Sequence, residues 1–182
     1  MNKISFALIC VVSFLFTGCV KPSAFKNNEY NEFYTKSLQY TKKNDIVVDG
    51  NVIAMLNATY LNETGENIGY KNHETFLIGV FTANNDSKNI SSDDKYKILL
   101  NDINPISMEK LEKNSYMYKK MPLYNPWAKY YIVKFDKKEI KSKFLKSLTK
   151  KEKYSKFDYE NIELKLLIDD GKSSTLTYQK AL

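Results

Sequence analysis

Few side-chain types carry out chemistry in a protein of this size, and this chain is short of most of them. Its 182 residues include one histidine, His73, and two cysteines, Cys10 and Cys19. A single histidine excludes a histidine-rich metal site. His73-Glu74 is also not followed by the second histidine at helical spacing that a zinc-protease helix requires. S-x-x-K pairs occur, among them Ser23/Lys26, Ser107/Lys110 and Ser147/Lys150, the spacing at which a lysine activates a serine nucleophile. The companion S-D-N and K-T-G motifs are missing, and a chain this rich in lysine produces such pairs by chance. Gly171-Lys172-Ser173 mimics the tail of a phosphate loop, but Leu166 stands where the first glycine is needed. Asp93-Asp94 and Asp169-Asp170 lack the alternating ligand spacing of a calcium loop. No catalytic centre, metal site or cofactor is therefore expected, and the reading is that the chain is not an enzyme.

The charge points the same way. All 28 basic residues are lysine, against 21 acidic ones, for a net charge of +7. Arginine is the residue that makes planar two-point contacts with phosphate and guanine, so a nucleic-acid partner is not expected. Beyond the two cysteines near the start there is no thiol, so the folded part has neither a thiol nucleophile nor a disulfide. Its stability must come from burial.

The remaining candidate residues lie on elements whose periodicity changes along the chain. Residues 27–43 (NNEYNEFYTKSLQYTKK) lack Gly and Pro, and Tyr30, Phe33, Tyr34 and Leu38 fall on one face at helical spacing, which predicts one helix docked on a core. From Asp45 the period becomes two. A turn at Asp49-Gly50 leads into a strand in which Val52, Ala54, Leu56, Ala58 and Tyr60 share a face. Further strands are predicted at HETFLIGVFTA, KYKILLND, PISMEKL and AKYYIVKF. NIELKLLID and STLTYQ flank a turn containing Gly171. The residues between 84 and 94 read as a polar loop. About seven strands joined mainly by turns predict a mainly β fold, an antiparallel immunoglobulin-like sandwich with an N-terminal helix and one short basic helix in a connection.

Two segments exceed what a plain sandwich needs. Residues 113–131 gather Tyr116, Tyr118, Tyr124, Trp127, Tyr130 and Tyr131, with Pro122 and Pro126 interrupting regular structure. Such a loop either presents a contact surface, because Tyr and Trp give large area at low entropic cost, or plugs one end of the sandwich. Tyr116, Tyr118, Tyr124, Trp127 and Tyr130 are the candidate partner-binding residues. Residues 136–156 place Ile140, Phe144, Leu145 and Leu148 on one side of a helix otherwise dense in lysine. Lys137, Lys138, Lys141, Lys146 and Lys150 are candidate contacts for an anionic surface, the alternative being a covering helix whose lysines stand in water.

The chain opens with Lys3, then an apolar run of 13 residues from Ile4 to Phe16, then Thr17-Gly18-Cys19. As a helix the run would reach roughly 20 Å, short of the roughly 30 Å hydrocarbon core, so it has the layout of a secretory signal and not of a permanent span. Phe16-Thr17-Gly18-Cys19 resembles the lipobox of bacterial lipoproteins, with Phe16 in place of the family's usual Leu. The resemblance covers these first residues only. It implies cleavage before Cys19 and acylation of Cys19, hence a signal peptide over residues 1–18, a lipidated tether over 19–26 and a single domain over 27–182. Val20 in place of Asp implies, by the same resemblance, an outer-membrane location over an inner-membrane one. The expectation is a membrane-anchored envelope lipoprotein acting as a non-enzymatic interaction or scaffold module of a periplasmic or outer-membrane assembly, with an envelope protein as partner. A surface-exposed adhesin, or a lipoprotein that binds a small ligand or lipid, is the alternative.

Overall fold

The alternating pattern that predicted strands corresponds to two antiparallel sheets in the computed structural model, which describes residues 32–65, 72–83, 90, 95–119, 122–147, 159–168 and 171–181. The described elements run α1 (Glu32–Gln39), β1 (Thr41–Val48), β2 (Asn51–Tyr60), a 3-10 turn (Leu61–Glu63), β3 (His73–Thr82), β4 (Tyr96–Leu100), β5 (Ser107–Lys110), α2 (Tyr116–Lys119), β6 (Lys129–Asp136), α3 (Lys137–Ser147), β7 (Tyr159–Ile168) and β8 (Ser173–Ala181). One sheet has the order β1-β2-β3-β6-β5 and the other β4-β7-β8.

Each sheet sends alternate residues into a shared core. Ala54, Leu56, Ala58 and Tyr60 of β2 face inward with Phe76, Ile78 and Val80 of β3 and Tyr131, Val133 and Phe135 of β6. They meet Ile98, Leu100, Ile162, Leu164, Leu166, Leu176 and Tyr178 of the second sheet. Tyr178 packs edge-on against Phe76 with ring centroids 5.4 Å apart, and Phe76 packs edge-on against Phe135 at 6.1 Å. The polar ends of the core tyrosines find partners, as burial requires. Tyr178 donates to the Ala58 carbonyl at 2.6 Å, which ties the two sheets together, and Tyr60 donates to the buried Glu74 carboxylate.

The turns are made where the backbone must go left-handed. Asp49 (φ 49°) and Gly50 (φ 78°) close β1 onto β2 in the hairpin geometry that matches strand twist. Asn101 (φ 50°) and Asp102 (φ 57°) do the same after β4, where Leu100 and Ile103 exchange both backbone hydrogen bonds. Asn and Asp tolerate this region better than other non-glycine residues.

The helix expected over residues 27–43 is shorter at its end than its pattern predicted. Residues 27–31 lie outside the described residues, and α1 stops at Gln39, with Thr41–Lys43 already paired to β2. Its docked face also differs, because Phe33 and Ser37 are buried while Leu38 is 44% exposed. Phe33, Leu61, Leu77 and Tyr130 form a second, smaller core on the outer face of the five-stranded sheet. Both faces of β3 are therefore covered, which is why Glu74 to Val80 are all buried. The basic helix appears as α3, with Ile140 buried and the Asp136 carboxylate accepting from the Lys138 amide at 2.8 Å.

Candidate functional site

The aromatic segment sits on that outer face, and a missing side chain shapes its base. Gly79 of β3 lies opposite Tyr130 of β6, and the Tyr130 ring lies across it. A Cβ at position 79 would stand 2.4 Å from Tyr130 Cε1, so only glycine lets the ring rest on the sheet. The Tyr130 hydroxyl thereby reaches the chain above. It accepts from the Asn125 amide at 2.6 Å and donates to the Leu123 carbonyl at 3.2 Å. Asn57 of β2 donates to the same Leu123 carbonyl at 2.8 Å. The loop tightens on itself as well, because the Asn125 side chain accepts from the Trp127 amide at 3.0 Å. Pro122 and Pro126 limit backbone freedom further.

Ring packing completes the platform. Tyr118, carried by α2, meets Tyr124 and Tyr130 edge-on at 5.8 Å and 5.4 Å, and Tyr124 lies parallel to Tyr130 at 6.4 Å. Burial raises the Tyr118 phenol to about 12, with further contributions from Tyr124 and Tyr130 beside it. Burial also raises Tyr130, partly offset by its hydrogen bond with Asn125. Tyr118 and Tyr130 are thus uncharged at neutral pH.

Above this base the loop exposes apolar surface. Trp127 is 76% exposed, Tyr116 and Tyr124 each 57%, and Leu123 41%. Trp127 does not plug the end of the sandwich, the other role its sequence context allowed. Tyr130 is the member of the predicted set that turns inward. At 1% exposure it holds the loop and offers no surface of its own. Between the loop and the sheet runs an open groove of about 530 Å³, lined by Met55, Asn57, Gly79, Phe81, Tyr124 and Trp127 among others, with Lys43 at its border. Asn57, Gly79 and Phe81 were not legible as site residues, because nothing in their local pattern shows which loop covers them.

The lysines divide differently. Lys138 and Lys141 are exposed on α3 and Lys137 is half-buried. Lys146 lies on α3, and its side chain, like all of Lys150, is outside the described residues. Lys143, not singled out in sequence, makes the structural contact: its Nζ donates to the Asn101 carbonyl at 2.6 Å. Lys165 pairs with Asp102 at 3.0 Å, and that hydrogen bond is the main reason the Asp102 carboxyl is held below its ordinary range. Cys19 is also outside the described residues.

Among the described residues no group of three or more His, Cys, Asp or Glu side chains is placed to hold a metal ion. Among them no helix is long and apolar enough to cross a membrane. Comparison with protein-family models, with curated proteins and with solved structures found no match to this chain.

Proposed function

We propose that this chain is a lipid-anchored bacterial envelope protein whose domain works by holding a protein partner, without catalysis, in a periplasmic or outer-membrane assembly. The observation that carries the reading is the loop over residues 122–128. It pairs two highly exposed aromatic side chains, Tyr124 and Trp127, with a base fixed by Tyr130 and Asn57. Exposed aromatics are enriched where proteins bind, and a loop fixed in advance loses little entropy on binding. The lipobox-like Phe16-Thr17-Gly18-Cys19 supports the anchor at Cys19, and the absence of catalytic motifs from the sequence supports a binding role. An immunoglobulin-like fold is the finer reading of the architecture. With β1 set aside, the order β2-β3-β6-β5 against β8-β7-β4 matches the seven-strand constant-type arrangement, in which the first, second, fifth and fourth strands face the third, sixth and seventh. On this reading β1 is an eighth strand added at the edge.

Two measurements on protein purified from envelopes test the proposal. Intact mass should show a chain beginning at Cys19 and carrying acyl chains; an unprocessed chain would remove the anchor. Alanine at Tyr124 and Trp127 should leave the fold intact and lose the co-purifying partner. Undiminished partner recovery with the double variant would remove the contact assignment.

A further inference from the structure

We propose that Phe33 is a positioning residue, through which the order of the aromatic loop depends on the N-terminal helix α1; this rests on the loop being the contact surface. As described, α1 spans Glu32–Gln39, and helical stability in a protein comes mostly from packing one face, so its docking matters. Among its described side chains Phe33 is the buried hydrophobic one, and Leu38 faces water. Phe33 is therefore the buried apolar ring through which α1 docks, beside the buried Ser37. That ring shares its cluster with Leu61, Leu77 and Tyr130. Tyr130 supplies the hydroxyl that fixes Leu123 and Asn125.

The arrangement beneath Tyr130 makes this neighbourhood matter. Gly79 gives the ring a flat floor with no side chain to stop it tilting, so its angle is set from the sides. The cluster containing Phe33, the edge-on contact with Tyr118 and the parallel Tyr124 ring are those sides. Loss of Phe33 frees the ring to rotate, moves its hydroxyl away from the loop and leaves Trp127 on a looser segment.

Trp127 is the only tryptophan in the chain, so its fluorescence anisotropy decay in the full chain reports loop order directly. Phe33→Ala is expected to raise the amplitude of nanosecond local motion at Trp127 about twofold, the timescale of loop motion. Phe33→Leu should give a smaller change in the same direction. Tyr130→Phe should reproduce the effect with α1 still docked, and Leu38→Ala, on the exposed side of α1, should leave Trp127 unchanged. A folded Phe33 variant with wild-type anisotropy overturns the proposal, and Phe33→Leu decides the matter if Phe33→Ala does not fold. No partner enters the measurement, so its failure is distinct from failure of the binding reading.

Discussion

At position 79 the strand's own preference and the packing above it disagree. Glycine weakens a strand interior, so alanine would ordinarily help there. The Tyr130 ring, 2.4 Å from where the methyl carbon would stand, reverses the sign, because the ring is buried and tethered at its far end. Gly79→Ala is expected to destabilise by about 1–3 kcal/mol, the range for overpacking, read as a lower urea midpoint; a midpoint at or above wild type would mean that the ring has room to move. The tyrosines also make a pH prediction. Tyr118, Tyr130, Tyr131 and Tyr178 are all raised, chiefly by burial. Tyrosine in an unfolded chain ionises near 10. Above that pH the unfolded chain gives up protons that the folded chain keeps. Stability from these phenols is thus complete below about pH 10 and declines as pH climbs toward 12, the value for Tyr118. Phenolate absorbance of the folded protein should lag correspondingly, and simultaneous titration of all 14 tyrosines near pH 10 would contradict it. At this scale the sequence picked out the aromatics but not their orientation, because only the apposition of Gly79 and Tyr130 across two strands turns one ring inward and its neighbours outward.

Among the elements, β1 was the least legible. Its first four residues, Thr41 to Asn44, are half-buried or exposed, so no alternation marked them and the helical pattern was extended through them. What makes them a strand is pairing with β2 and attachment at the other edge to β8. Lys42 donates to the Thr177 carbonyl and Asn44 to the Thr175 carbonyl, the latter at 3.2 Å. Side chains, not backbone pairs, bridge the two sheets there. Replacing both Lys42 and Asn44 with alanine is expected to cost about 1–2 kcal/mol and to speed amide exchange in β1 and β8 before the other strands. Unchanged exchange in β1 would show that the seam contributes nothing. The turn after β4 makes a contrast within one dipeptide. Asn101 has its side chain bonded to the Glu163 amide at 2.7 Å and its own amide to the Glu163 carbonyl at 2.9 Å. Among the described residues Asp102 makes solvent-exposed ion pairs, with Lys143 and Lys165. Both residues are left-handed, so alanine strains each alike. Asn101→Ala should nevertheless cost about 1 kcal/mol more than Asp102→Ala, because it also removes the hydrogen bond to the Glu163 amide, whereas the exposed ion pairs of Asp102 contribute little. Equal losses from the two would refute that ranking.

For the molecule as a whole, the strands and their inward residues could be read because alternation and turn residues are local signals. Val52, Ala54, Leu56, Ala58 and Tyr60 were placed on one face, and all but Val52 are in the core. Strand order could not be read, since it depends on which edges meet after the chain has crossed between sheets. The groove could not be read either, since it needs three strands and a loop at once. In the proposed binding role a loop held by Tyr130 and Asn57 presents Tyr124 and Trp127 to a partner, while Lys138 and Lys141 of α3 stand in water. Alanine at Trp127 should by itself weaken that partner by about 2 kcal/mol, a roughly thirtyfold loss of affinity typical of a central aromatic. The most direct measurement is in-cell photo-crosslinking, with a photoreactive residue placed in one case at position 127 and in another at position 138. A discrete adduct with one envelope protein is expected from position 127 and none from position 138. An adduct from position 138 with none from position 127 would contradict it and move the contact surface to α3.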